Sequence, residues 1–238
     1  MRTLGVDLAS AASRTATCVV DWEPGRATVT HLAIRADDNM ILNLAGDADA
    51  VGIDAPFGWP TPFVELVSAA PAHQDWTPDH RDDLRFRRTD HHIRRETGRW
   101  PLSVSSDLIG VVAMRCHGLL HQLGVGDRVG HERVFEVYPA AALRRWARSP
   151  VSYKGSKRRA ALGRLAGELF AGVPWLEVKV EYADLLRRSD DALDALVSSL
   201  VARAAKIDLV DRPPEDPRCR HEGWIALPKE GSLSVLVG

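Results

Sequence analysis

Apolar positions first gather in a short run, Leu4-Gly5-Val6-Asp7-Leu8-Ala9, where a single carboxylate interrupts residues that otherwise belong inside a protein. A run this short and apolar on both faces predicts a buried strand. Arg14 to Val20 is rich in β-branched residues and predicts a second strand. The turn Glu23-Pro24-Gly25-Arg26 then leads into an alternating third strand over Ala27 to Leu32. Connections this short imply an antiparallel meander. Met40, Ile41 and Leu44 share one side of a helix over Asp38 to Ala45. The next apolar run, Ala50-Val51-Gly52-Ile53-Asp54-Ala55-Pro56, again ends on an acid. A right-handed crossover lays it parallel to the first strand.

From Trp59 to Arg99 the amphipathic period fades and seven arginines gather, which reads as an inserted loop or small helical cap. Asp107 to Leu123 predicts a helix with Ser106 as its N-cap. Val134 to Tyr138 predicts a fifth strand stopped by Pro139, and helices follow over Ala140 to Trp146 and Ser156 to Phe170. Ser189 caps a last long helix whose core stripe is Leu193, Leu196, Val197, Leu200, Val201 and Ala204. On that wheel Asp194 borders the stripe and Asp191 points away. After a Pro-rich linker at Asp211 to Pro217, Glu222 to Ala226 reads as an edge strand. The pattern as a whole is an α/β fold with a mixed five-stranded sheet and helices on both faces, one domain over 1–238 with an insertion at about 59–130.

Composition adds limits. The chain has 238 residues, 45% hydrophobic and 26% charged, which is ordinary for a globular protein. No apolar run approaches the roughly 20 residues that span a bilayer, and the first residues run straight into a strand, so a cytoplasmic protein without a membrane partner is expected. Cys18, Cys116 and Cys219 are isolated, which predicts reduced, buried thiols and not a disulfide or zinc knuckle. A net charge of −1 points to no polyanion by itself. Its distribution does: no acid stands between Glu136 and Glu168, whereas Arg144, Arg145, Arg148, Lys154, Lys157, Arg158, Arg159 and Arg164 are all basic. That tract is either a phosphate-contacting face or a solvated one balanced by acids elsewhere in space. Arg88, Arg94 and Arg95 in the insertion add candidate phosphate ligands. Trp59, Phe63 and Trp76 offer stacking surfaces for bases or simply pack. Nucleic acid, DNA or RNA, is the partner these features favour, and the oligomeric state, including a homodimer, stays open.

The candidate chemistry lies in the acids. Asp7 and Asp54 end apolar strands, and Asp191 and Asp194 sit at i and i+3 on the last long helix. Strand-end and helix-borne carboxylates together are the oxygen-rich donor set that Mg²⁺ or Mn²⁺ takes. Carboxylates brought within about 4 Å repel by a few kcal/mol at an effective dielectric near 20, so a cation or a proton must resolve the conflict. Glu136, within the fifth strand, is either a further ligand or base, or the partner of a structural arginine. His117 and His121 have zinc-compatible spacing, but Gly118 stands where an HExxH motif needs glutamate. Ser10 and Ser13 have no histidine placed as a base.

The segments Gly5 to Ala9, Gly52 to Gly58, Arg88-Thr89-Asp90, Glu136 to Pro139 and Asp191 to Leu196 resemble a bacterial and archaeal family described as predicted nucleases of RNase H-like fold, the domain of unknown function family 429. The Asp-x-x-Asp-Ala-Leu run is also similar to that of RuvC-type Holliday-junction resolvases. The resemblance implies a two-metal phosphodiester hydrolase in which Asp7, Asp54, Asp191 and Asp194 hold Mg²⁺ or Mn²⁺. Resolvases place Glu where this chain has Asp54, one methylene shorter. A silent nucleic-acid or protein binding module on the same fold is the alternative. A phosphotransferase of the actin-like or sugar-kinase type ranks below both, because a second domain and a glycine-rich adenosine site are lacking.

Overall fold

Strands β1 (Arg2–Asp7), β2 (Ala16–Glu23), β3 (Arg26–Ile34), β4 (Ala50–Asp54), β5 (Val134–Glu136) and β6 (Leu176–Glu177) form a six-stranded sheet in the order β5-β4-β1-β2-β3-β6. The computed structural model describes residues 1–69, 81–130, 133–147 and 152–238. The pairs β1–β2 and β2–β3 are antiparallel, as short connections require, and β4 returns parallel to β1 after helix α1 (Asp38–Gly46). β5 is parallel to β4, and β6 is parallel to β3. The sequence pattern gave five strands; β6 is two residues long and too short to carry an alternation.

The insertion is helical where it is described: α2 (Thr61–Ser68), α3 (Arg81–Arg85), α4 (Arg88–Thr97) and α5 (Gly110–Gln122). Ser106 does not cap α5. The Ser103 amide donates to Asp107 Oδ2 at 2.7 Å, which holds these residues in a turn, and the helix begins only at Gly110. Helices α6 (Pro139–Arg145), α7 (Arg159–Gly172), α8 (Val180–Leu186), α9 (Asp190–Lys206) and α10 (Cys219–Glu222) follow. The expected edge strand over Glu222 to Ala226 is a single bridge between Ile225 and Glu136, because Glu222 still ends α10 and Thr89 Oγ1 takes the Ile225 amide at 2.8 Å. The mixed α/β architecture is compatible with an RNase H-like fold. Among the described residues no helix is long and apolar enough to cross a membrane, and all three cysteines are free and buried.

Alternation along the strands sorts side chains between two cores. Leu4, Val6, Val51 and Ile53 point to one face, packed against α1 and α5. The other face carries Thr3, Gly5, Gly52 and the acids, and α9 lies directly on it. Gly5 and Gly52 decide how closely. A Cβ on Gly5 would sit 2.0 Å from the carbonyl oxygen of Ala195, and one on Gly52 would sit 2.4 Å from that of Ser198. Only glycine at both positions lets the helix backbone rest on the strand backbones. Thr3 Oγ1 meets Ser199 Oγ at 2.7 Å and accepts from Trp22 Nε1 at 2.9 Å, so these three polar groups of the contact are satisfied internally.

Gly5→Ala should therefore cost at least about 2 kcal/mol in urea unfolding, because backbone and not a flexible side chain must yield. Gly46→Ala, where a Cβ meets nothing within 4 Å, serves as the comparison and should change stability little. Equal effects at the two sites would show that α9 does not rest on β1 in this way.

Candidate metal centre

The parallel register of β1 and β4 places Asp7 opposite Asp54, each the last residue of its strand. Each follows a glycine by two residues, and alternation puts both on the face covered by α9. There α9 contributes Asp194 from its second turn. One carboxylate oxygen from each of Asp7, Asp54 and Asp194 lies within 4.8 Å of the other two. Asp194 is almost fully buried, and Asp7 and Asp54 are half-buried in the floor of an open cleft of about 210 Å³. Tyr138 and Lys154 also line the cleft, as do the apolar side chains of Pro101, Leu102, Ile109 and Val112.

Like charges in so small a space resist ionisation. Burial, then the charges of Asp194 and Asp54, hold Asp7 well above the ordinary carboxylate range. Burial pushes Asp54 up to about 7; the Lys154 ammonium opposes this and the Asp194 charge adds to it. Burial also raises Asp194, against the Lys154 ammonium and the Tyr153 hydroxyl. Both of those groups touch it: Tyr153 Oη donates to Oδ1 at 2.7 Å, and Lys154 Nζ stands 2.6 Å from Oδ2. Oδ2 is enclosed, and the Lys154 ammonium is the cation set against it. The clustered acids are thus only partly compensated by protein groups.

The other candidate acids go elsewhere. Asp191 is at the surface of α9, 3.4 Å from Arg14, as its position off the apolar stripe requires. Glu136 faces the same cleft but is held by Arg87, whose Nη2 and Nη1 donate to Oε1 at 2.8 Å and Oε2 at 3.0 Å; the Phe57 amide adds a third bond at 3.0 Å. Arg87 also donates from Nη2 to Asp90 Oδ1 at 3.0 Å, and all three residues are buried. The bidentate arginine settles Glu136 as the structural of its two readings. Glu222 completes the group, accepting from the amides of Thr61 and Arg88 and so tying α10 to the starts of α2 and α4.

The candidate phosphate ligands are partly spoken for. Arg88 pairs with Asp216 at 3.2 Å, and Arg94 donates to the Gly98 carbonyl. Arg144 is half-buried on α6, and Lys154 serves Asp194. Arg145 pairs with Glu96 and Asp211. Lys157 is exposed, and exposed Arg158 caps the Ser152 carbonyl at 3.2 Å. Acids distant in sequence therefore pair with two members of the basic tract, Arg145 and Lys154. Arg148 and Trp76 lie outside the described residues. His117 Nδ1 faces Arg128 at 3.2 Å, and no metal-compatible group other than the three aspartates occurs among the described residues.

Two features escaped the sequence reading. Tyr153 carries no motif, and its partner is 41 positions away. Arg87 was one arginine among many. The repeated Gly-x-Asp of β1 and β4 was a usable signal, since a glycine inside a strand marks close backbone approach.

Two outcomes follow. The folded protein holds protons on Asp7 and Asp54 more tightly than the unfolded chain; the Asp54 contribution is whole below the ordinary value of 3.8 and is lost as pH rises through about 7, and that of Asp7 has the same sign. In EDTA the melting temperature should fall between pH 5 and 8, and Asp54→Asn should flatten that slope; a wild-type profile that rises over this range rejects the clustered-acid assignment. Separately, Arg87→Met strands Glu136 and Asp90 without their cation and should cost about 3–5 kcal/mol in chemical denaturation.

No curated protein and no solved structure matches the chain. A family model described as a protein of unknown function (DUF429) matches residues 5–218. That span holds both Gly-x-Asp motifs, Arg87, Asp90, Glu136, Lys154 and the acid-bearing helix, and the chain belongs to the DUF429 family.

Proposed function

We propose that this protein is a divalent-metal-dependent phosphodiesterase of the nuclease class, with Asp7, Asp54 and Asp194 as its metal ligands. One observation carries the reading: three carboxylates from three separate elements meet within 4.8 Å, two of them lining an open cleft and the third buried beside them. The donor set fits Mg²⁺ or Mn²⁺. It is all carboxylate oxygen, with no histidine or cysteine. An ion held there supplies positive charge that polarises a phosphoryl group and makes water a stronger acid.

The protein's own groups do the remaining work. Gly5 and Gly52 set the distance between the strand acids and Asp194. Tyr153 fixes the rotamer of Asp194 through Oδ1. The Arg87–Glu136 pair holds the loop after β4 by the Phe57 amide, so Asp54 is followed by a fixed turn. The apolar side chains of Leu102, Ile109 and Val112 line the same cleft as the acids, where they can take the apolar surface of a sugar or base while the phosphate lies over the carboxylates.

The test is cleavage of a panel of single-stranded, duplex and branched DNA and RNA in Mg²⁺ and in Mn²⁺. Asp7→Asn keeps the size of the side chain and removes charge, so it should lower cleavage by more than about 100-fold, beyond what loss of an outer partner costs. It should also leave the protein folded, with a metal-free melting temperature equal to or above that of the wild type, because a source of repulsion is gone. Asp191→Asn should do far less. If the wild type cuts nothing and Mn²⁺ shifts no melting point, the reading fails and a silent binding module takes its place.

A further inference from the structure

Lys154 is placed where surface lysines are not. Three consecutive residues clamp the start of α9: the Tyr153 hydroxyl on Asp194 Oδ1 at 2.7 Å, the Lys154 ammonium on Asp194 Oδ2 at 2.6 Å, and the Gly155 amide on Asp190 Oδ2 at 2.9 Å. Gly155 has φ of +95°, a conformation that favours glycine and turns the chain back after Lys154. The stem of Lys154 is half-exposed, but its ammonium ends on a carboxylate that is 1% exposed. A cation drawn to a buried anion in this way is worth far more than a surface pair.

Of the neighbouring acids, Glu136 and Asp90 share Arg87, Asp191 pairs with Arg14, and Asp190 accepts from a backbone amide. The cluster itself is Asp7, Asp54 and Asp194, three carboxylates, with one ammonium in contact. Fully ionised, these four groups carry two net negative charges, which one divalent ion cancels. A second ion would leave the centre with two net positive charges in a half-enclosed site, an arrangement that repulsion opposes. The Asp194 oxygens already have partners in Tyr153 and Lys154, which leaves Asp7 and Asp54 as the carboxylates more open to the cleft.

We infer that the Lys154 ammonium stands in for one metal ion, so that the acid centre takes a single divalent cation. This rests on the metal-dependent reading above and fixes its stoichiometry and the residue that sets it. Lys154 is here a positioning and charge-setting residue, in place of the free phosphate ligand that the basic tract suggested.

Isothermal titration of the metal-free full-length chain with MnCl₂ tests this, with Asp7→Asn run alongside to identify binding that belongs to the acid centre. The wild type should bind one Mn²⁺ that Asp7→Asn abolishes. Lys154→Met should admit a second Mn²⁺ or bind the first at least about tenfold tighter. Lys154→Arg, which keeps the charge, should stay at one ion. Two Asp7-dependent ions in the wild type overturn the inference and leave the metal-dependent reading standing. So does a folded Lys154→Met protein with wild-type count and affinity. No Mn²⁺ binding at all removes the metal-dependent reading, and this inference with it. Should Lys154→Met fail to fold, the wild-type count decides alone.

Discussion

The contact on which this molecule depends is backbone against backbone: α9 lying on β1 and β4 without a side chain between them. A Cβ at Gly5 or Gly52 would fall within 2.4 Å of helix backbone atoms. Helices that pack on sheets through ordinary side chains stand several ångströms further off, and a short aspartate on such a helix would not reach strand-end acids. The same contact explains why α9 is buried along most of its length and why serines, not large residues, face the strands. Local sequence, close packing and the acid cluster are three aspects of one constraint.

Charge is managed differently on the two sides of the cleft. Glu136 and Asp90 are buried with a dedicated arginine, and their hydrogen-bonding capacity is largely met. Pairing of that quality is what makes a buried ion group tolerable, and breaking it is costly. The Asp7, Asp54 and Asp194 group has one lysine and one tyrosine for three carboxylates, and burial holds all three above the ordinary range. The contrast between a completed network and an incomplete one, both lining one cleft, separates the fully paired acids from the proposed metal ligands better than residue type does.

Much of this was legible along the chain. The meander, the parallel return of β4 and the paired strand-end acids follow from apolar runs and connection lengths, and the helical wheel alone separated Asp194 from Asp191. What could not be read was long-range pairing. The Arg87 partner of Glu136 lies 49 positions away and that of Asp194 at Tyr153 lies 41 away, with no periodicity to announce either. The basic tract shows the same limit. Two of its members find acids that the local sequence does not announce, Lys154 on α9 and Arg145 at Asp211. β6 was missed because two residues carry no pattern.

The position of α9 in the chain has a kinetic consequence. The Thr3–Ser199 hydrogen bond closes 196 residues, so the face of β1 and β4 that bears the acids stays uncovered until nearly all of the chain that forms the sheet has been made. At roughly 5–20 residues per second of synthesis, that is a wait of many seconds with a bare, glycine-notched sheet face. Contacts of such span slow folding, because loop closure must precede the reward of packing. The three aspartates therefore come together late, and a nascent chain that lacks α9 holds two acids on adjacent strands with no third. The three-acid cluster is the product of the final docking step, not of the sheet that displays most of it.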